Sequence, residues 1–203
     1  MPKTLLVASR NAKKLRELRR VLDESGVAEL ELVGLDEVAP FPETPETGAT
    51  FEENALVKAR DGALATGMAC VADDSGLEVD ALNGMPGVLS ARWAGAHGDD
   101  LANTTLLLGQ LGDVPDDRRG ARFVSACALA LPDGSASVVR GEWPGVIARE
   151  PRGAGGFGYD PVFVPEGETR SSAELSPQEK DAASHRGRAL RLLLPALIDL
   201  TRD

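Results

Sequence analysis

The order of apolar and polar residues divides the N-terminal third of the chain into alternating strands and helices. Residues 3–8 are strand-like and predict a first strand, and residues 30–33 predict a second. Residues 12–25 between them are predicted to form a helix that Gly26 ends. Leucines at helical spacing support this helix, and they are Leu15, Leu18 and Leu22.

A second helix is predicted over residues 50–66, followed by a short buried strand at residues 70–72. Thr50 and Glu53 have the spacing of a capping box, in which each side chain binds a backbone N–H at the helix start. The strand is predicted to stop at an acidic pair, and a third helix is predicted over residues 101–111.

A β-hairpin and a helical end complete the predicted elements. Residues 122–131 and 135–142 are strand-like and flank a Pro-Asp-Gly turn. A second capping box at residues 176–179 places Pro177 at the first helical position. Because strands and helices are interspersed, the chain is predicted to be an α/β protein with a mixed sheet.

The composition is that of a globular protein and excludes several classes. Hydrophobic residues make up 42% of the 203 residues and charged residues 27%, which excludes a disordered chain. No apolar run approaches the ~18 to 20 residues that cross a bilayer, and the N-terminal run is too short for a signal peptide. We therefore expect a cytoplasmic protein in which residues 1–203 form a single domain.

Charge and cysteine content restrict the partners. With 22 basic against 32 acidic residues the net charge is −10, which disfavours loose binding to nucleic acid or to an anionic membrane. A small anionic substrate is compatible, because a local basic pocket and a divalent metal override a distant surface charge. Cys70 and Cys127 lack the spacing of a metal or redox motif and are predicted to be buried, reduced thiols.

Two polar segments lie at predicted helix N-termini, and the first of them is a candidate phosphate site. In the first, unpaired N–H groups, the helix dipole and a lysine attract phosphate, although an ordinary cap with solvated lysines is the alternative. Its residues are Ser9, Arg10, Asn11, Ala12, Lys13 and Lys14. The second segment spans residues 46–54. Lys58, four residues beyond it, shares a helix face with Asn54, and a solvated surface lysine is the alternative.

Two adjacent carboxylates, Asp73 and Asp74, follow the predicted buried strand. Such a pair is costly at this position unless a cation neutralises it, and Mg²⁺ prefers oxygen ligands. The alternative is an Asx-type turn at the end of a strand. The pair is the strongest metal-site candidate in the sequence.

A glycine-rich segment around Phe157 and a His-Arg pair are candidates for binding a base. Four glycines near Phe157 suggest bare backbone close to a flat ligand, with Phe157 as a stacking platform. A flexible hairpin with Phe157 in the core is the alternative. His185 and Arg186 form a donor pair suited to a carbonyl-bearing base, or else a helix cap and a salt-bridge partner.

Taken in order, these segments resemble the inosine triphosphate pyrophosphatase family, the noncanonical purine nucleoside triphosphate pyrophosphatases. The resemblance covers nearly the whole chain, and six co-linear motifs together are specific where each alone is not. The matching segments lie at residues 9–14, 46–55, 73–77, 86–92, 155–161 and 184–187.

The resemblance implies both a fold and an activity. The implied fold is a mixed twisted central sheet flanked by helices, with two lobes and the active-site cleft between them, similar to Maf-type proteins. The implied activity is Mg²⁺-dependent hydrolysis of ITP, dITP and XTP to the monophosphate and pyrophosphate. The implied partners are the small nucleotide substrate and a second copy of the chain, with no stable nucleic acid and no membrane.

The resemblance also implies roles for individual residues. Asp74 would be the proton acceptor and a metal ligand, Glu46 a further metal ligand, and Asp73 a supporting residue. Lys180, His185 and Arg186 would donate to the 6-keto oxygen of the base, where adenine instead carries an amino donor. The implied substrate-binding residues are Ser9, Arg10, Asn11, Ala12, Lys13, Lys14, Lys58, Ser75, Phe157, Gly158, Tyr159, Asp160, Lys180, His185 and Arg186.

Three other functions are considered. A Maf-type pyrophosphatase would prefer modified pyrimidine nucleotides, and its motifs match this chain poorly. A nucleotide-sensing module would bind nucleotides without turnover. The acidic pair argues against it, because a sensor gains little from a metal-centred water site. A general phosphomonoesterase would release orthophosphate, so the identity of the product separates it from a pyrophosphatase.

Overall fold

The computed structural model describes residues 3–9, 12–27 and 29–202 of the chain. Arg10 and Asn11, which were predicted to bind phosphate, lie outside the described residues, and Ala12 and Lys13 are described by their backbone alone. The strands and helices are β1 (Lys3–Val7), α1 (Ala12–Glu24), β2 (Leu30–Gly34), α2 (Phe51–Thr66), β3 (Ala69–Val79), α3 (Asp100–Gln110), β4 (Gly120–Ala130), β5 (Ala136–Ile147), β6 (Phe163–Pro165), α4 (Pro177–Ala183) and α5 (His185–Arg202).

The six strands form one mixed sheet in the order β2-β1-β3-β4-β5-β6. Strand β1 runs parallel to both β2 and β3, with Leu5 opposite Leu32 on one side and Ala69 on the other. Parallel neighbours need a crossover connection, and α1 supplies it between β1 and β2. Strand β6 pairs antiparallel with β5. The predicted α/β class with a mixed sheet is confirmed.

Residue contacts divide the chain into two compact units. The first unit comprises Met1–Asp74, Ser125–Gly141 and Arg186–Asp203, and the second comprises Ser75–Val124 and Glu142–His185. The unit boundaries fall inside β3, β4, β5 and the start of α5. That the whole chain is a single functional domain stays a prediction.

The core of the first unit is built from the leucine faces of α1 and α5. Leu18 and Leu22 of α1 are buried as their spacing predicted, and they pack in one cluster with Val71 of β3 and Leu193 of α5. None of the helices in the described part of the chain combines the length and apolarity that a membrane crossing requires.

The other face of β3 packs against α2. A Cβ added at Gly62 of α2 would lie 2.5 Å from the sulfur of Cys70, so only glycine permits this approach. Cys70 and Cys127 are both buried and free, which confirms the prediction from their spacing. Neighbouring side chains of β3 therefore face different helices, as strand geometry requires.

The core of the second unit concentrates the few aromatic residues of the chain. Phe163 contacts Phe123 at 4.6 Å between ring centroids and Trp143 at 5.6 Å, both edge to face. Aromatic pairs favour this geometry because a positive ring edge meets a negative ring face. The helix α3 closes the cluster with Leu107 and Leu111, which follows its last turn.

The local signals for helix ends and the hairpin were accurate, with one difference. Ser176 and Glu179 form the predicted capping box, and Gly134 turns the β4–β5 connection with a φ of 90°. At α2, Thr50 Oγ1 accepts from the N–H of Glu53 at 3.1 Å as predicted. The carboxylate of Glu53, however, accepts from Ala49 N at 2.6 Å, because the preceding loop folds over the first helical turn.

The predicted end of the third strand was wrong. The strand was expected to stop after residue 72, but β3 runs through Ala69–Val79 and includes both Asp73 and Asp74. The strand continues because cations from neighbouring helices compensate the two carboxylates, so their burial does not break the sheet.

Candidate active site

An ionic cluster surrounds the acidic pair in the first unit. Strand β3 supplies Asp73 and Asp74, α1 supplies Lys14, α2 supplies Lys58 and α5 supplies Arg186. Adjacent side chains of a strand point to opposite faces. Asp73 accordingly contacts the cations of α1 and α5, whereas Asp74 contacts that of α2. The two carboxylates thus have separate environments despite being neighbours in sequence.

Asp73 is paired with two cations. Its Oδ2 lies 2.8 Å from Lys14 Nζ and 3.3 Å from Arg186 Nε. Arg186 also contacts Glu17 Oε2 at 3.4 Å. Burial raises the pKa of Asp73, but Lys14 and Arg186 together outweigh burial and hold this pKa well below its usual range. Asp73 is therefore ionised at neutral pH and anchors two positive side chains.

Asp74 is neutralised less completely. Its Oδ1 lies 3.7 Å from Lys58 Nζ, and its Oδ2 accepts from Asn54 Nδ2 at 3.0 Å. Burial raises the pKa of Asp74, Lys58 and Asn54 oppose this, and the carboxylates of Glu46 and Asp73 raise it further. The result is a pKa above the ordinary aspartate value, which suits a group that accepts a proton.

Glu46 and Asp74 converge on a single ammonium group. Lys58 Nζ lies 3.0 Å from Glu46 Oε1 and 3.7 Å from Asp74 Oδ1. Within the described ranges, no group of three His, Cys, Asp or Glu side chains is placed to hold a metal ion. Mg²⁺ is commonly bound by one or two carboxylates together with substrate phosphates. Two converging carboxylates fit such an ion when it arrives with a nucleotide.

Two members of the cluster, Asn54 and Glu17, were not among the predicted site residues. Asn54 is 3% exposed and lies four positions before Lys58, while Glu17 lies three positions after Lys14. Both spacings place side chains on one helix face. The spacing of each residue from a candidate lysine on the same helix was therefore the sequence signal that could have identified it as part of the site.

A second polar cluster lies in the second unit, around the glycine-rich segment. The buried Asp160 accepts from Phe157 N at 2.8 Å, from Ser172 Oγ at 2.7 Å and from Lys180 Nζ. Phe157 is 54% exposed, and Lys180 Nζ lies 5.0 Å from its ring centroid. Phe157 therefore does not belong to the core, and its ring is accessible to a flat ligand.

Most glycines of this segment are explained by contacts within the protein. A Cβ at Gly156 would lie 2.1 Å from Asp160 Oδ2, and one at Gly153 would lie 2.7 Å from the backbone of Ala173. A Cβ at Gly155 would likewise meet the Ala173 carbonyl oxygen at 2.7 Å, whereas Gly158 has open space. The close approaches at the other three glycines thus serve loop packing, and the φ of 59° at Gly158 favours glycine there for its backbone conformation.

Several predicted substrate-binding residues make their contacts within the protein. The hydroxyl of Tyr159, which is 4% exposed, donates to Ser90 O at 2.8 Å. His185 is buried and stacks on Phe123 with 5.1 Å between ring centroids. The N–H of Gly158 donates to Asp100 Oδ2 at 2.7 Å. These contacts order the loop and the start of α5, and a direct role in binding stays a prediction.

The remaining predicted residues lie near β1, within β3 or in the ionic cluster. Ser9 lies two positions after the end of β1, and Ser75 directly follows Asp74 within β3; both are half-buried. Arg186, predicted to read the base, has its guanidinium engaged by Asp73 and Glu17. Its role toward the base also stays a prediction.

Close relatives match this chain along its length. The Ham1 family model matches residues 5–196. The chain is 74% identical to the dITP/XTP pyrophosphatase of Nocardia farcinica over 196 residues, which is 97% of this chain and 95% of the relative. It is 73% identical to the dITP/XTP pyrophosphatase of Mycobacterium tuberculosis, over 97% of this chain and 96% of the relative.

Solved structures share the fold as well. A nucleoside-triphosphatase / dITP/XTP pyrophosphatase from Mycobacterium abscessus has a TM-score of 0.83 at 68% identity, covering 96% of this chain and 99% of that chain. A HAM1 protein from Coxiella burnetii has a TM-score of 0.89 at 42% identity, covering 97% of this chain and 99% of that chain. The matched region includes both polar clusters and nearly all of the sheet, so the resemblance found in the motifs is confirmed: the chain belongs to the Ham1 family.

Proposed function

We propose that this chain hydrolyses noncanonical purine nucleoside triphosphates, namely dITP, ITP and XTP, to the monophosphate and pyrophosphate, and so removes them from the nucleotide pool. Relatives named dITP/XTP pyrophosphatase, 73% and 74% identical over 97% of this chain, support the proposal. The structural observation that carries it is the acidic pair of β3 flanked by Lys14 and Lys58. Cleavage of a phosphoanhydride needs held phosphates, a positioned water and a proton acceptor.

The phosphate chain is assigned to the lysines and to the start of α1. Lys14 contacts Asp73 and Lys58 contacts Glu46, so both ammonium groups are already held beside the acidic pair. On binding, they would exchange a carboxylate contact for phosphate oxygens. The segment at residues 9–14 leads into the N-terminus of α1, whose backbone N–H groups and dipole favour phosphate.

The proton acceptor is assigned to Asp74. Asn54 donates to Oδ2, so proton uptake from the attacking water is assigned to Oδ1. The raised pKa of Asp74, caused first by burial, makes this carboxylate a stronger base than a free aspartate. Asp73 supports the arrangement by holding Lys14 and Arg186, and Ser75 is assigned a substrate contact beside Asp74.

The metal ligands are assigned to Asp74 and Glu46, with Mg²⁺ as the cofactor. When bound, the ion supplies neutralisation of phosphate charge and lowers the pKa of a coordinated water. The chemistry of the donors supports this assignment, because two carboxylates already converge on the ammonium of Lys58. Lys58, whose ammonium contacts both carboxylates, would then be available to the phosphates.

Base recognition is assigned to donors that face a 6-keto oxygen. Phe157 supplies an accessible ring for stacking, and the ammonium of Lys180 is close to that ring. His185 and Arg186 complete the donor set, while residues 158–160 shape the loop. Adenine places an amino donor where these groups need an acceptor, and such a mismatch costs on the order of 10⁴ in selectivity in a dry pocket.

We further propose that the protein acts as a homodimer in the cytoplasm, where the nucleotide pool lies. The family resemblance supports the dimer, and the net charge of −10 is consistent with small-molecule rather than nucleic-acid partners. Size-exclusion chromatography with light scattering tests the assembly: twice the chain mass supports the dimer, and the mass of one chain overturns it.

One assay tests the proposed reaction. The purified chain is incubated with ITP, dITP, XTP, ATP, GTP or dUTP, with and without Mg²⁺, and the products are separated. Monophosphate and pyrophosphate from the first three, only with Mg²⁺, support the proposal. Orthophosphate indicates a phosphomonoesterase, binding without turnover indicates a sensing module, and preference for a pyrimidine nucleotide indicates Maf-type specificity.

A further inference from the structure

Asn54 is a buried polar residue in the first turn of α2. Both the oxygen and the nitrogen of its side-chain amide are hydrogen-bonded. It is 3% exposed, and its amide bridges the loop before α2 to the carboxylate of Asp74. It is assigned neither to the substrate nor to the metal. Burying an amide is costly unless it is hydrogen-bonded. An amide whose oxygen and nitrogen are both bonded therefore restrains the two groups that it bonds to.

The orientation of the Asn54 amide follows from its partners. The N–H of Gly48 donates to Asn54 Oδ1 at 2.8 Å, and a backbone N–H requires an acceptor. Asn54 Nδ2 must then face Asp74, where it donates to Oδ2 at 3.0 Å. The carboxylate of Asp74 therefore receives its hydrogen bond on one defined oxygen.

The loop end of this bridge is closely packed. A Cβ at Gly48 would lie 2.7 Å from Asn54 Oδ1 and 2.8 Å from Glu53 Cβ, so the backbone approaches α2 as closely as glycine allows. The next residue, Ala49, donates its N–H to Glu53 Oε2 at 2.6 Å. Two consecutive amides of the loop are thus bonded to α2, and Glu46 lies two positions before Gly48.

We propose that Asn54 is a positioning residue for the hydrolysis inferred above. It holds the carboxylate of Asp74 and the loop that carries Glu46 in one arrangement, with Asp74 Oδ1 presented to the attacking water. This inference rests on the proposed function. A preorganised group reacts without first being reoriented, and a misplacement of about 1 Å costs on the order of 10²-fold in rate.

The proposal predicts a loss in kcat rather than in KM. Lys14 and Lys58, which are assigned to the phosphates, make no hydrogen bond with Asn54, so ground-state binding is expected to be retained when Asn54 is changed. Asn54→Ala removes both hydrogen bonds, whereas Asn54→Asp keeps an acceptor for Gly48 but replaces the donor to Asp74 by an oxygen. We expect kcat to fall about 10- to 100-fold in both variants and KM to change less than about threefold.

Asn103 provides a matched control in α3. It is 2% exposed, accepts from Ala94 N at 2.7 Å and donates to Ala91 O at 3.3 Å. Like Asn54, Asn103 is buried and hydrogen-bonded through both atoms of its side-chain amide. Its amide nitrogen, however, donates to a backbone carbonyl and not to a carboxylate. Asn103→Asp should lower Tm by a similar amount, because it too loses its donor, and should leave kcat within about twofold of the wild type, because neither Ala91 nor Ala94 is assigned to the proposed active site.

The test measures kcat, KM and Tm for dITP with saturating Mg²⁺, well below the lowest Tm. A kcat loss confined to the Asn54 variants supports the proposal. Unchanged kcat in both Asn54 variants overturns it, and so does an equal kcat loss in Asn103→Asp. Lack of turnover by the wild type would instead contradict the proposed function.

A second measurement does not depend on activity. Urea midpoints of Asn54→Ala, Asp74→Ala and the double variant form a double-mutant cycle, which isolates the coupling between the two side chains. A combined shift smaller than the sum of the single shifts supports the proposed contact. Additive shifts overturn it, whether or not the chain hydrolyses dITP.

Discussion

The ammonium of Lys58 lies 3.7 Å from the Oδ1 of Asp74, farther than its 3.0 Å contact with Glu46. Asp73, one position earlier, has a cation at 2.8 Å. This difference separates the two carboxylates in their chemistry. The pKa of Asp73 is lowered by Lys14 and Arg186 in spite of burial, while that of Asp74 is raised by burial that Lys58 does not offset. Asp73 therefore holds cations in place, whereas Asp74 is suited to accept a proton.

Replacement of Asp74 tests the base directly. Asp74→Asn keeps the size and removes the charge, so the fold is expected to survive. We expect kcat for dITP to fall by about 10²-fold or more, because a general base contributes about that factor. Circular dichroism and Tm control for folding. Activity near that of the wild type in the folded variant would move the role to Asp73 or Glu46.

Base recognition is tested by His185→Ala and Arg186→Ala. If these side chains donate to the 6-keto oxygen, kcat/KM for ITP should fall far more than kcat/KM for ATP. Loss of the His185 stack on Phe123, or of the Arg186 pair with Asp73, instead predicts lower Tm and equal losses for both nucleotides. An unchanged ITP/ATP ratio in both variants would transfer recognition to Lys180, Phe157 or backbone amides.

The capping box of α4 should make stability depend on pH in the acid range. Glu179 is bonded to the backbone and side chain of Ser176 and to Arg170, which lowers its pKa from 4.5 to about 2. A lowered pKa stabilises the fold above pH 4.5, and this contribution is lost as the pH falls toward 2. The Tm difference between the wild type and Glu179→Gln should therefore shrink as the pH falls from 5 to 3. A Tm difference that stays constant over this range would contradict the prediction.

Arg119 is expected to be essential for the stability of the second unit. Its buried guanidinium donates to the carbonyls of Leu111 at 2.6 Å, Ile147 at 2.7 Å and Ala148 at 2.9 Å. Arg119→Met leaves these carbonyls without their donor, and we expect a loss of about 3 kcal/mol in urea unfolding. Arg119→Lys should not restore it, because an ammonium lacks the planar spread of donors. Full stability of Arg119→Lys would contradict this account.

Both cysteines are expected to be unreactive in the native state. Burial raises the pKa of Cys70 and of Cys127 to about 12, so the reactive thiolate is scarce at neutral pH. A thiol reagent should label neither in native buffer and both in denaturant, as counted by mass spectrometry. Rapid native labelling of either would contradict the described burial.

Features that depend on residues within a few positions were determined by the sequence alone. The leucine face of α1, the capping box of Ser176 and Glu179, and the turn at Gly134 were all predicted and confirmed. Each of these features is local. Helical periodicity, a helix cap and a hairpin turn depend only on the backbone and side chains of residues that are neighbours in the sequence. The motifs added the family, because their order along the chain is itself a property of the sequence.

Tertiary structure decided the partners of the charged residues. Arg186 and Asp73 are 113 positions apart, and no local pattern indicates that they form an ion pair. The continuation of β3 through its acidic pair depends on that contact and on Lys14, which the sequence could not place. Asn54 joins Asp74 across 20 positions for the same reason. Charge compensation acts through space, so only the folded chain determines which carboxylate becomes an anchor and which a base.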